Sequence, residues 1–134
     1  MKIMKKYTLY QRMDAITTKK ELLDMQEEIK DNYGKLPKAV QLLFEKKRLD
    51  ILLNEPHVEN ITEEQKFVNV TFTSAWSTRI DGVKLFEMMT SISKDTRIRY
   101  VNSKISMKLP KTKDWLYKMV EILERTDELV IKNA

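Results

Sequence analysis

Apolar residues in the N-terminal third recur three and four positions apart, and just beyond Pro56 the spacing shifts to alternation, with helical spacing returning in two later stretches. Leu9, Met13 and Ile16, with Tyr10 beside them, predict a first helix over residues 5–16. Thr18 then stands as N-cap with Glu21 at the third helical position, the spacing of a capping box. Leu22, Met25, Ile29 and Tyr33 form one stripe of a second helix that runs to about Tyr33. Gly34 suits the left-handed conformation that closes a helix, and Pro37 suits the first turn of the next. That third helix extends to about Asn54 and is apolar on two faces. Val40, Leu43, Phe44 and Ile51 lie on one, Leu42, Leu49, Leu52 and Leu53 on the other, which predicts a helix covered on both sides.

"VENIT" and "FVNVTFT" alternate around the polar turn "EEQK", with Val68, Val70 and Phe72 sharing a face. "SAWSTRIDG" reads as a loop that holds Trp76, a lid or an exposed anchor. Asp81 caps a fourth helix carrying Leu85, Phe86, Met89 and Ile92. "RIRYVNSKISMKL" is a hairpin turning at Asn102-Ser103, with Ile98 facing Met107 and Tyr100 facing Ile105 on the core side, and Pro110 ends it. A last helix uses Leu116, Met119, Val120 and Leu123, with Trp115 in register for the core, and the remainder reads as a frayed tail. The pattern predicts an α+β fold: three N-terminal helices, then a small antiparallel sheet of two hairpins with two further helices, in a single domain over residues 1–134.

Composition narrows the function. A chain of 134 residues, 42% apolar and 34% charged, can build one core and stay soluble. No apolar run is long enough to span a bilayer and "MKIMKKY" has no secretory signal pattern, which points to the cytoplasm. Cysteine is absent, so disulfides, thiolate metal sites and cysteine nucleophiles are all excluded. With two glycines, Gly34 and Gly82, the chain cannot form a glycine-rich phosphate loop. The sole histidine, His57, follows Pro56 and reads as a solvated loop residue rather than a catalytic base. No metal-ligand spacing is present. The reading is a domain that is not an enzyme and needs no cofactor.

Two charged surfaces remain. Asp24, Glu27, Glu28 and Asp31 fall on the side of the second helix away from its apolar stripe, with Lys20 and Lys30 as the nearby cations. Such a ridge is either solvated or a docking surface for a basic partner. On the hairpin, Arg97, Arg99, Lys104 and Lys108 alternate onto one side. They either discourage edge pairing or contact phosphates, as a nucleic-acid-binding module would. The net charge of +5 is too small to choose.

The N-terminal order resembles the C-terminal TRCF domain of bacterial transcription-repair coupling factors. Leu9, Tyr10 and Arg12 match that family's Leu-Tyr-x-Arg helix, Glu21 and Leu22 its Glu-Leu pair, and Arg48 and Leu49 its later Arg-Leu pair. Asp31 to Pro37 stand for its Asp-Arg-Phe-Gly-x-Leu-Pro corner, with Asn32 in place of arginine and Tyr33 in place of phenylalanine. Lys47 falls where a small apolar residue is usual and Asp50 where a second basic one is common. The resemblance implies a regulatory domain of a DNA translocase, one that docks on the UvrB-like module of the same full-length chain. There it masks the surface that binds UvrA and restrains the motor until release, while the full-length factor meets RNA polymerase stalled at DNA damage and moves along duplex DNA. It further implies that Glu28 and Asp31, beside Asp24 and Glu27, face arginines of that module, while Gly34, Leu36 and Pro37 form the corner that presents them.

Overall fold

The computed structural model describes residues 6–129 and divides into two compact units, Met1–Ile51 and Leu52–Ala134. The first holds α1 (Lys6–Ala15), α2 (Lys19–Tyr33) and α3 (Lys38–Leu53) up to Ile51. α2 starts where the capping box predicts: the Glu21 N–H donates to Thr18 Oγ1 at 3.1 Å, and Thr18 Oγ1 donates back to the Glu21 carboxylate at 2.9 Å. Leu9, Met13, Ile16, Leu22, Met25, Ile29, Leu36 and Phe44 are buried together, with Tyr33, Val40, Leu43 and Ile51 packed on them. One stripe from each helix thus makes the core of this unit. Of the other predicted face of α3, Leu49 and Leu52 are buried, Leu53 is half-buried and Leu42 is exposed.

The corner after α2 forms with one correction. Gly34 has φ +79° but ψ −147°, outside the left-handed helical basin and in a region open essentially to glycine alone. Its N–H still closes the helix on Lys30 O at 2.8 Å. Pro37 O then accepts from the N–H groups of Val40 and Gln41, both at 3.0 Å, so Pro37 caps α3 from just outside it. Leu36, between them, plugs into the core, and its carbonyl accepts from Gln41 Nε2 at 2.8 Å.

In the second unit β1 (Val58–Glu63), β2 (Phe67–Phe72), β3 (Arg97–Val101) and β4 (Lys104–Pro110) form one antiparallel sheet in the order β1-β2-β4-β3. Both predicted hairpins are present, and β2 pairs with β4 to join them. Val68, Val70, Phe72, Ile105, Met107 and Leu109 are buried on one face. α5 (Gly82–Ile92) and α6 (Trp115–Glu124) add Leu85, Met88, Met89, Leu116, Met119, Val120, Ile122 and Leu123 to that core. Asp81 caps α5 as expected, accepting from Val83 and Lys84 N–H at 3.1 and 3.2 Å.

Several expectations are corrected here. The "SAWS" stretch is a short helix, α4 (Ser74–Ser77), capped by Thr73, and it buries Trp76. Trp115 is half-buried at the first position of α6 instead of in the core, because the buried stripe begins one residue later at Leu116. Phe86 is 56% exposed and Met88 takes the inward position. Tyr100 has the predicted partner Ile105 but is 60% exposed, since β3 lies at the sheet edge. The start of the expected frayed tail is ordered: Thr126–Leu129 form a 3-10 turn, and Leu129 O accepts from the Asp81 N–H at 3.0 Å. The rest of that tail, from residue 130, lies outside the described residues.

His57 is no solvated loop residue either. Its ring is parallel to Phe72 at 6.0 Å between centroids and tilted on Trp76 at 5.4 Å. Its Nε2 lies 3.0 Å from Thr126 Oγ1. That hydroxyl donates its single proton to Leu123 O at 2.7 Å, so the bond assigns the hydrogen to His57 Nε2.

Candidate functional site: an acidic ridge on a fixed corner

The helical repeat puts Asp24, Glu28 and Asp31 nearly in line along α2, with Glu27 one step around, and all four are exposed. The helix is fixed at both ends, by Thr18 and by the Gly34-Leu36-Pro37 corner, so the carboxylates stand on a rigid support.

The surroundings are more basic than the sequence suggests. Arg12 of α1 reaches across to form an ion pair with Glu28, the two side chains being 42% and 49% exposed. Asp24 pairs with Lys20 at 3.3 Å. Glu27 and Asp31 have no ion-pair partner among the described residues. Arg12, Glu21, Asp24 and Glu28 also border a groove of about 400 Å³ whose apolar wall is Ala15, Ile16 and Met25. Of the four predicted carboxylates, then, Asp24 and Glu28 meet at a groove, while Glu27 and Asp31 stay outside it.

Glu21 titrates below the usual glutamate range, first because Thr18 donates to its carboxylate and then through Thr17. Arg48 serves the structure, since its guanidinium pairs with Glu45 and donates to Gln26 Oε1 of α2 at 3.0 Å. It thereby braces α2 from the side opposite Arg12's contact. Spacing can suggest Arg48 with Glu45, three apart on α3, but not Arg48 with Gln26 or Arg12 with Glu28, because those contacts join different helices.

The hairpin cations are unlike one another. Arg97, Arg99, Lys104 and Lys108 do share a face of the sheet, as predicted. Lys104 pairs with Glu59 at 2.8 Å, and Lys108 lies 3.6 Å from Glu64 and over the Phe67 ring. Arg97 and Arg99 have no ion-pair partner among the described residues. No group of three His, Asp or Glu side chains able to hold a metal occurs among the described residues. No described helix is long and apolar enough to cross a membrane.

A three-helix unit with exposed carboxylates on α2, in a chain that also carries a sheet-bearing unit, defines the class: an α+β domain with charged groups on its surface. Its relatives give that class a name. The model of the TRCF domain matches residues 1–83, and the chain belongs to that family. It is 32% identical over 83 residues to the transcription-repair-coupling factor of Bacillus subtilis strain 168, covering 62% of this chain and 7% of that protein. The corresponding factor of Staphylococcus epidermidis RP62A is 22% identical over 111 residues, covering 83% of this chain and 10% of the relative. The chain therefore spans a small part of the curated relatives it matches. Among solved structures, one described as the crystal structure of the C-terminal domain of transcription-repair coupling factor superposes with a TM-score of 0.64 at 18% identity. That match covers 92% of this chain and 81% of that one.

Proposed function

We propose that this chain is the non-catalytic regulatory domain of a transcription-repair coupling factor. In this reading the ridge of α2 docks on the UvrB-like module of the same full-length chain, masks its UvrA-binding surface and holds back the ATP-driven translocase. Contact with RNA polymerase and duplex DNA then belongs to other parts of the factor. The observation that carries the reading is the exposed, rigidly mounted pair Glu27 and Asp31, carboxylates that no described cation neutralises. Glu28 contributes differently. Its pairing with Arg12 bridges α1 and α2 at their exposed rim and lowers the charge it can offer to a partner.

Rim charges of this kind stabilise an interface modestly and are weakened by salt, which suits a contact that must open. The test is binding of the purified UvrB-like module to this chain by calorimetry at low and high salt. Glu27→Lys with Asp31→Lys leaves folding within about 0.5 kcal/mol, since both residues are exposed. The double variant weakens docking at least ten-fold at low salt, and high salt narrows the difference. Equal affinities for the two proteins would reduce the ridge to a solvated face. A nucleic-acid role for the hairpin has weaker support, because Lys104 and Lys108 already face carboxylates.

A further inference from the structure

The sheet has two outer strands, and they are finished differently. β1 carries a bulge between Val58 and Asn60 and presents Glu59 and Glu63, devices that blunt an edge. β3 is a regular strand: its pairing with β4 runs from Arg97↔Lys108 to Val101↔Lys104 without a break. Asn102 and Ser103 have φ of 54° and 63°, the two-residue turn in which the flanking pair, Val101 and Lys104, is hydrogen-bonded. Alternation then makes Arg99 and Arg97 hydrogen-bonded to β4 as well, and turns the N–H and C=O groups of Ile98 and Tyr100 outward. The neighbouring strand agrees with this phase. Ile105, opposite Tyr100, sends its N–H away from β3 to Ser77 Oγ at 2.9 Å. No described strand pairs with the outer edge of β3.

We infer that β3 is an addition site for an extended acidic segment of a partner protein, which lies along Arg97–Val101 as a fifth strand. Four main-chain groups, two each from Ile98 and Tyr100, supply the ladder. Arg97 and Arg99, two residues apart on one face and without a described carboxylate, would meet acidic residues two apart on the incoming strand. The residue between those acids falls on the other face, opposite half-buried Ile98 and diagonal to the exposed Tyr100 ring, and is best apolar. The pattern read by the edge is thus acidic-apolar-acidic.

The same charges argue against other occupants. A second copy adding its own β3 would bring arginines against arginines. A nucleic acid would find two cations instead of four, since Glu59 and Glu64 occupy Lys104 and Lys108, and two phosphate contacts bind weakly at physiological salt. This inference is independent of the α2 ridge, and β3 lies beyond the residues that the family model matches.

The experiment titrates this chain with a capped peptide of alternating glutamate and valine, following backbone amides by NMR. The expected result is slowed hydrogen exchange and shifted resonances at Ile98 and Tyr100, with binding weakened at least ten-fold by Arg97→Ser with Arg99→Ser. A peptide with lysine for glutamate should bind at least ten-fold more weakly. So should the same Glu-Val peptide N-methylated along one edge, which keeps its charge and removes its ladder donors. Unchanged Ile98 and Tyr100 amides at the highest peptide concentration overturn the proposal, as does equal binding of the N-methylated peptide. Tighter, arginine-dependent binding of a short DNA duplex at physiological salt overturns it in favour of the nucleic-acid reading.

Discussion

Gly34 and Gly82 are the two glycines of the chain, and they make opposite demands. Nothing lies within 4 Å of a Cβ added at either one, so space does not distinguish them. Backbone does. Gly34→Ala forces an L side chain to φ +79° and should cost about 1–3 kcal/mol in urea unfolding. Gly82, the first residue of α5, carries no such φ, and Gly82→Ala should be neutral or stabilise by about 0.4–1 kcal/mol. Glu21 supplies a pH-dependent test. Its folded pKa is depressed, so its contribution is present above the unfolded value and fades as pH falls through the folded one. Thr18→Ala should raise the Glu21 pKa in an NMR titration and cost about 1 kcal/mol near neutral pH. The stability gap between variant and wild type should narrow in acid, through the window between the lowered and the ordinary glutamate values.

At the scale of elements, local signals were readable and distant pairings were not. The Thr18 and Asp81 caps, the Asn102-Ser103 turn and the β3–β4 register all rest on neighbours in sequence, and each formed as predicted. The β2–β4 pairing that fuses two hairpins into one sheet joins strands separated by α4, α5 and β3, and no periodicity encodes that. The same holds for the candidate site. Four carboxylates on one side of α2 followed from spacing, but Arg12 beside Glu28 required knowing how α1 lies on α2. Residues on amphipathic elements near a boundary were misjudged, as with Phe86 and Met88, because both choices suit a helical stripe. The turn invites a direct test. Ser103 bears steric strain at φ 63°, so Ser103→Gly should stabilise the sheet-bearing unit by about 1 kcal/mol. Tryptophan fluorescence during denaturation isolates that unit, since Trp76 and Trp115 both lie within Leu52–Ala134.

At the scale of the whole molecule, the two units divide the proposed labour. The helical unit offers exposed negative charge, and the sheet-bearing unit offers an open strand whose Arg97 and Arg99 have no ion-pair partner among the described residues. The reading as a non-catalytic domain carries its own expectation: the purified chain should not hydrolyse ATP, with or without DNA, in a coupled assay. Turnover that follows the protein through repeated purification would contradict it. The sheet-bearing unit has one more property, which follows from His57. That residue precedes the first strand, while Thr126, its hydrogen-bond partner at 3.0 Å, follows the last helix. Four strands and three helices lie between them, so this contact brings together chain positions near the two ends of the unit. Ends that meet in this way are what insertion of the unit as one piece into a surface loop of another protein would need, with the splice set beyond Leu129, whose carbonyl holds the Asp81 N–H.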